Sequence, residues 1–158
     1  MVSFSDLGIE PALVNALRTQ GILEPFEVQK ESIPDGMLGK DVCCRAPTGS
    51  GKTLAFGLPL LSRTKEAEPR RPTSLILTPT RELAEQIYKV LDPLAYEMRL
   101  YVHAIYGGVS YNKQFRALDQ GVDVLVACPG RLLDLMERGA LSLADVEVVV
   151  LAEAARID

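Results

Sequence analysis

Apolar positions along the chain fall into short unbroken runs, separated by longer stretches in which they recur every three or four residues. Pro11–Gln20 has the helical spacing, with proline at a first-turn position and Gly21 as the stop. A second helix is expected from about Val28 to Leu38, then a strand at Val42–Arg45 and a helix from Gly51 towards Ser62. Leu75–Leu77 reads as a buried strand. Arg81–Leu94 reads as a helix carrying Leu83, Ile87, Val90, Leu91 and Leu94 on one stripe. Leu100–Ile105 is the next strand, Gly107-Gly108 a turn and Asn112–Gln120 a short helix. Val122–Ala127 is a continuous apolar strand, Pro129-Gly130 opens a helix through Arg138, and Val146–Leu151 is the last strand. Five short apolar strands alternating with helices predict an α/β fold, a mainly parallel sheet with helices on both faces. Between Arg63 and Thr73 the chain is polar, with two prolines and both charge signs. That segment reads as a solvated surface loop in which Lys65, Arg70 and Arg71 need no partner.

Composition narrows the picture. With 158 residues, 47% of them hydrophobic, one domain buries its own core without a disulfide or metal staple. Three cysteines (Cys43, Cys44 and Cys128) in apolar surroundings suit buried thiols in a reducing cytosol, so a cytoplasmic location is expected. Cys43 and Cys44 are adjacent, and no second Cys/His pair completes a zinc site. His103, the single histidine, lies inside a strand run and is assigned to strand packing. No apolar run approaches the ~20 residues of a membrane span, and the N-terminus lacks a signal-peptide core. A net charge of -4 excludes a broadly basic nucleic-acid binder. Any nucleic-acid contact has to be local, through placed donors.

Ala46-Pro47-Thr48-Gly49-Ser50-Gly51-Lys52-Thr53 stands between a strand run and a helix run. Small residues let the backbone curl so that successive N–H groups face an anion, and the following helix adds its positive end. Lys52 reaches the outer phosphates and Thr53 offers a hydroxyl to Mg²⁺. The strict phosphate-loop pattern has glycine where Ala46 stands, yet the strand–loop–helix context is the one the chemistry needs. The chain is expected to bind a nucleoside triphosphate, with Thr48, Gly49, Ser50, Gly51, Lys52 and Thr53 as its phosphate and metal contacts.

In a parallel sheet, ligands gather at the carboxyl ends of the strands. The loops there carry Thr78-Pro79-Thr80-Arg81-Glu82-Leu83-Ala84, Tyr106-Gly107-Gly108, Cys128-Pro129-Gly130-Arg131 and Ala152-Glu153-Ala154-Ala155. Taken singly, Pro-Thr and Pro-Gly are ordinary turns, and Arg81 or Arg131 fits a solvated first-turn position. Arginines, helix N-termini and close-approach glycines recurring on one rim fit a second polyanion beside the triphosphate.

Together these segments resemble, in order and over nearly the whole chain, the first RecA-like domain of DEAD-box RNA helicases. Gly21-Ile22-Leu23-Glu24-Pro25-Phe26-Glu27-Val28-Gln29 is similar to the family's Q motif, with Phe4 as the isolated upstream aromatic. Residues 46–53 match motif I in the family's own form, with alanine first. Pro79 to Ala84 is identical to motif Ia, Gly107-Gly108 matches the GG element, and residues 128–131 match motif Ib with Cys128 in place of threonine. The resemblance implies that Phe4, Ile22 and Gln29 hold adenine of ATP or ADP. It also implies that Pro79, Thr80, Arg81, Gly107, Gly108, Pro129, Gly130 and Arg131 grip the RNA backbone without reading sequence. A DNA-directed helicase fits less well, because adenine reading combined with Pro-Thr-Arg-Glu-Leu-Ala is the RNA-helicase pairing.

Two departures decide what this chain is expected to do. Motif II, at residues 152–155, reads Ala-Glu-Ala-Ala where the family has Asp-Glu-Ala-Asp. By the family's pattern the first aspartate holds Mg²⁺, the glutamate serves the attacking water, and the last aspartate ties in a Ser-Ala-Thr segment. Glu153 is therefore the one catalytic residue left. Loss of the metal-orienting carboxylate is expected to slow hydrolysis at least ~10²-fold. The second departure is length: residues 1–158 form a partial first domain, lacking the Ser-Ala-Thr (motif III) strand and the second RecA-like domain. An unfilled slot in the sheet predicts self-association or strand exchange. The expectation is an ATP- and RNA-binding helicase domain inactive in hydrolysis and unwinding; the alternative is a non-catalytic module that holds nucleotide or a partner.

Overall fold

The computed structural model describes residues 2–37 and 50–152. The expected strand Val42–Arg45, the cradle residues Ala46 to Gly49, Cys43, Cys44 and Glu153 to Ala155 lie outside the described residues, as does residue 1.

Chain order is α1 (Pro11–Thr19), α2 (Glu27–Met37), α3 (Ser50–Arg63), β1 (Ser74–Leu77), α4 (Arg81–Glu97), β2 (Val102–Ile105), α5 (Tyr111–Gln120), β3 (Val124–Ala127), α6 (Pro129–Glu137) and β4 (Val148–Leu151). The strands form one sheet in the order β2-β3-β1-β4, every described pair parallel. Registers are simple: Ile76 stands beside Val126 and Val150, and Ala104 beside Val126.

Alternate residues along the strands feed two cores. Ile76, Val102, Val124, Val126 and Val148 face a cluster with Leu54, Leu58, Leu61, Ile87, Leu91 and Leu94 from α3 and α4. Leu75, Ile105, Leu125 and Ala127 face the other way, onto Leu118 of α5 and Leu132 and Leu135 of α6. Helices on both faces explain why the strands read as unbroken apolar runs rather than alternating ones.

Helix α3, which begins in the phosphate-loop sequence, is deeply enclosed. Residues 52–61 are all buried, and the helix packs between α2 and α4. Its approach to α2 needs Gly36, where a Cβ would stand 2.7 Å from the Cβ and Cγ of Pro59. The helix is thus held by packing along most of its length.

The segment expected to be a solvated loop is instead tied down. Lys65 pairs with Glu147 at 3.1 Å, Arg70 with Asp119 at 2.5 Å, and Arg71 with both carboxylate oxygens of Asp145 at 2.9 Å. Buried Asp123 accepts from the Ala67 and Tyr101 backbone N–H groups, each at 2.7 Å. These bonds gather the segment under the amino ends of the strands. The ion pairs are exposed, so solvent screens them strongly. They orient the loop more than they stabilise the fold.

Candidate functional site

Three loops meet on the carboxyl rim of the sheet. The first follows β1 and leads into α4, whose N-cap is Thr80: its Oγ1 accepts the Leu83 N–H at 3.2 Å. Glu82 in the first turn adds favourable charge at the same helix end. Pro79, Thr80 and Arg81 are exposed. Arg81 donates to Glu85 at 3.3 Å one turn along and lies over the Tyr106 ring, 4.8 Å from its centroid. Tyr106 in turn donates its hydroxyl to Glu85 at 2.9 Å. The Tyr106 hydroxyl and, secondarily, Arg81 hold the Glu85 carboxyl below its ordinary range.

The second loop follows β2. Gly108 has φ +85°, a backbone conformation that glycine adopts without penalty. A Cβ there would lie 3.3 Å from Arg81 Nη1, so the first two loops are in close contact. Gly107 and Gly108 are both exposed.

The third loop follows β3 and opens α6, with proline at its first position. Here the N-cap is Cys128, whose side chain makes no capping bond, in contrast to Thr80. Burial pushes its thiol pKa up. Pro129 and Gly130 are exposed, while Arg131 is half-buried and turned inward. Its Nη1 donates to the Val109 carbonyl at 3.0 Å and to Gln114 Oε1 at 3.1 Å. The guanidinium lies over the Tyr111 ring at 4.0 Å, with Arg138 over the same ring at 4.2 Å. Tyr111 donates to Asp134, lowering that carboxyl together with Arg138.

Structure therefore brings together Pro79, Thr80, Arg81, Gly107, Gly108, Pro129, Gly130 and Arg131 from three separate stretches of sequence. The rim offers one exposed guanidinium, two helix N-termini and a glycine turn, a set suited to an extended anion. Gln114 and Tyr111 were not singled out from the sequence, and Tyr106 was named there only as the residue before the glycine turn. Tyr106 and Tyr111 carry no local signal beyond adjacency to the glycines, and Gln114 looks like one more polar residue on a surface helix.

The residues expected to meet nucleotide are only partly described. Gln29 is fully buried, and its Oε1 accepts the Phe26 N–H at 2.8 Å, a bond that fixes the amide orientation. Ile22 is half-buried. Phe4 is packed in the core with Ile9, Leu13 and Leu17 at 2% exposure. Lys52 and Thr53 are buried in the first turn of α3. Thr48 and Gly49 fall outside the described residues, and nothing is described of the Ser50 and Gly51 side chains. Thr53 brings a hydroxyl, Ala152 at the end of β4 brings only a buried methyl, and no group of three His, Cys, Asp or Glu able to hold a metal occurs among the described residues. His103 sits on β2 with Nε2 buried and unbonded, which fits strand packing. No helix among the described residues is long and apolar enough to cross a membrane.

The fold and rim define a RecA-like α/β domain. A family profile described as DEAD/DEAH box helicase matches residues 26–158, and the chain belongs to that family. It is 44% identical over 158 residues to DEAD-box ATP-dependent RNA helicase 9, mitochondrial, of Arabidopsis thaliana, covering 97% of this chain and 26% of that protein. It is 44% identical over 153 residues to ATP-dependent RNA helicase DeaD of Escherichia coli strain K12, covering 96% and 24%. The crystal structure of the RNA helicase Prp28 from Chaetomium thermophilum bound to ADP superposes with a TM-score of 0.87 at 37% identity, over 97% of this chain and 38% of that one. A hypothetical ATP-dependent RNA helicase from Sulfolobus tokodaii gives 0.80 at 36% identity, over 90% and 41%. The chain thus spans about a quarter of the length of these curated relatives.

Proposed function

We propose that this chain is the ATP- and RNA-binding first domain of a DEAD-box ATP-dependent RNA helicase, and that by itself it neither hydrolyses ATP nor unwinds RNA. The observation that carries the reading is the convergence of the three strand-end loops, with Arg81 beside Gly108 and Arg131 bonded to Val109. Three loops locked at one rim suit a sugar-phosphate backbone and carry no base-reading pattern. Adenine is assigned to Phe4, Ile22 and Gln29. The phosphates of ATP or ADP are assigned to Thr48, Gly49, Ser50, Gly51, Lys52 and Thr53. The relatives' names support ATP and RNA as ligands, and Prp28 was captured with ADP.

Inactivity follows from chemistry at the end of β4. Phosphoryl transfer depends on positioning and charge neutralisation. Glu153 remains to orient water, but Ala152 and Ala155 supply no carboxylate. The same alanines favour a second reading, a non-catalytic module that keeps nucleotide or a partner bound. A cytoplasmic setting and self-association through β4 are further parts of the proposal.

Calorimetric titration of ADP and ATP, each with and without Mg²⁺ and with turnover followed in parallel, tests this. Weak ADP binding that is indifferent to Mg²⁺, without hydrolysis, is the expected result. Absence of heat at millimolar nucleotide would remove the nucleotide assignment, and hydrolysis at the rate of an intact helicase would remove the inactivity. RNA binding is expected to be weak and to fall steeply with salt, the mark of phosphate contacts.

A further inference from the structure

Helix α5 turns only Gln114 and Leu118 fully inward. Leu118 joins the apolar cluster, as an inward helix position should. Gln114 is equally enclosed, at 1% exposure, yet its amide bonds neither its own helix nor the sheet. Nε2 donates to the Tyr106 carbonyl at 3.2 Å, immediately before the Gly107-Gly108 turn. Oε1 accepts from Arg131 Nη1 at 3.1 Å, in the first turn of α6. That same Nη1 closes the ring by donating to the Val109 carbonyl on the far side of the glycines. Tyr106 carries the connection on to Glu85 and Arg81. One buried amide therefore joins the second and third rim loops directly, with Tyr106 extending the link to the first, and an apolar side chain of equal size would satisfy packing without making either bond.

We propose that Gln114 is a positioning residue for RNA, setting the spacing between the Gly107-Gly108 turn and the N-terminus of α6 without touching the ligand. Arg131 is its arm. The guanidinium is held by Gln114, Val109 and Tyr111, so the third loop meets phosphate through the backbone N–H groups opening α6, and Arg81 supplies the exposed charge. This inference rests on the RNA reading above.

The test measures binding of a labelled single-stranded oligouridylate at low salt to the unaltered chain, Gln114→Leu, Arg131→Met and the double variant, with ADP affinity measured on each. Gln114→Leu is expected to weaken RNA binding about tenfold, the size of losing buried hydrogen bonds, while ADP affinity holds. The double variant is expected to lose little more than either single one, because both break the same link. Gln114→Glu keeps the Arg131 bond but sets an oxygen against the Tyr106 carbonyl, and is expected to bind RNA less well than the unaltered chain; it serves where Gln114→Leu does not fold. RNA affinity unchanged in Gln114→Leu and Gln114→Glu would overturn the inference alone, as would parallel loss of RNA and ADP affinity or fully additive losses. No RNA binding by the unaltered chain would overturn the RNA reading, and this inference with it.

Discussion

His103 shows how one buried ring couples the fold to pH. Its Nε2 is enclosed without a hydrogen-bond partner, and burial lowers its pKa below the ordinary histidine value of about 6.5. The folded state therefore holds the ring neutral, while the unfolded chain takes up a proton as pH falls through that value. Stability from this residue is fully present above about pH 6.5 and is lost below it, by at most about 1.4 kcal/mol per pH unit. Glu85 and Asp134, both lowered by tyrosine hydroxyls and arginines, act only at or below the usual carboxylate range, so the windows separate. Urea denaturation between about pH 7.5 and about pH 5 should show the midpoint falling, and His103→Leu should flatten that fall. An equal slope in both proteins would mean that His103 is not the group responsible. Strand placement of His103 was readable from its apolar neighbours. The partners of Lys65, Arg70 and Arg71 were not, since Glu147, Asp119 and Asp145 lie 82, 49 and 74 residues away.

Among the elements, the pairing of α2 with α3 is the most exposed to test. Gly36 is buried on α2, and a methyl there would stand 2.7 Å from two atoms of the Pro59 ring, which cannot rotate aside. Overpacking of this kind costs about 1–3 kcal/mol, against roughly 1 kcal/mol gained by replacing a helical glycine with alanine. Gly36→Ala is expected to be net destabilising in chemical denaturation, and to become neutral or stabilising in a Pro59→Ala background. A neutral Gly36→Ala in the unaltered chain would show that the helices separate freely. Element identity was legible because turn glycines and prolines punctuate each run. Strand starts were not: Leu100 and Val122 read as strand, yet β2 and β3 begin at Val102 and Val124. Arg99 adopts φ +58° and the Asp123 carboxylate captures the Tyr101 N–H, so both strands are delayed by contacts that periodicity does not encode. The candidate site was legible as motifs, whereas the Gln114–Arg131 link between them arises only when α5 and α6 pack side by side.

At the scale of the whole molecule, the sheet ends unevenly. Strand β4 pairs with β1 on one side and with no other described strand. Val148 is buried and Val150 packs against the core holding α3, but Val149 and Leu151 are 54% and 58% exposed on the opposite face. Two large aliphatic side chains on the last described strand, with backbone groups beside them, suit pairing with another strand. A second copy of the chain carries the same edge and can meet it symmetrically, giving an isologous pair. Sedimentation equilibrium should then show a weight-average mass that rises with concentration. Val149→Lys with Leu151→Lys should return it to the monomer value, because charge at an edge opposes pairing. Both positions are exposed, so the double variant is expected to retain its thermal stability. It should also retain RNA binding, since the loops proposed to meet RNA follow β1, β2 and β3. A monomer mass for the unaltered chain at every concentration would remove self-association from the proposed function. Loss of RNA binding on breaking the pair would move the RNA surface from one chain to the dimer.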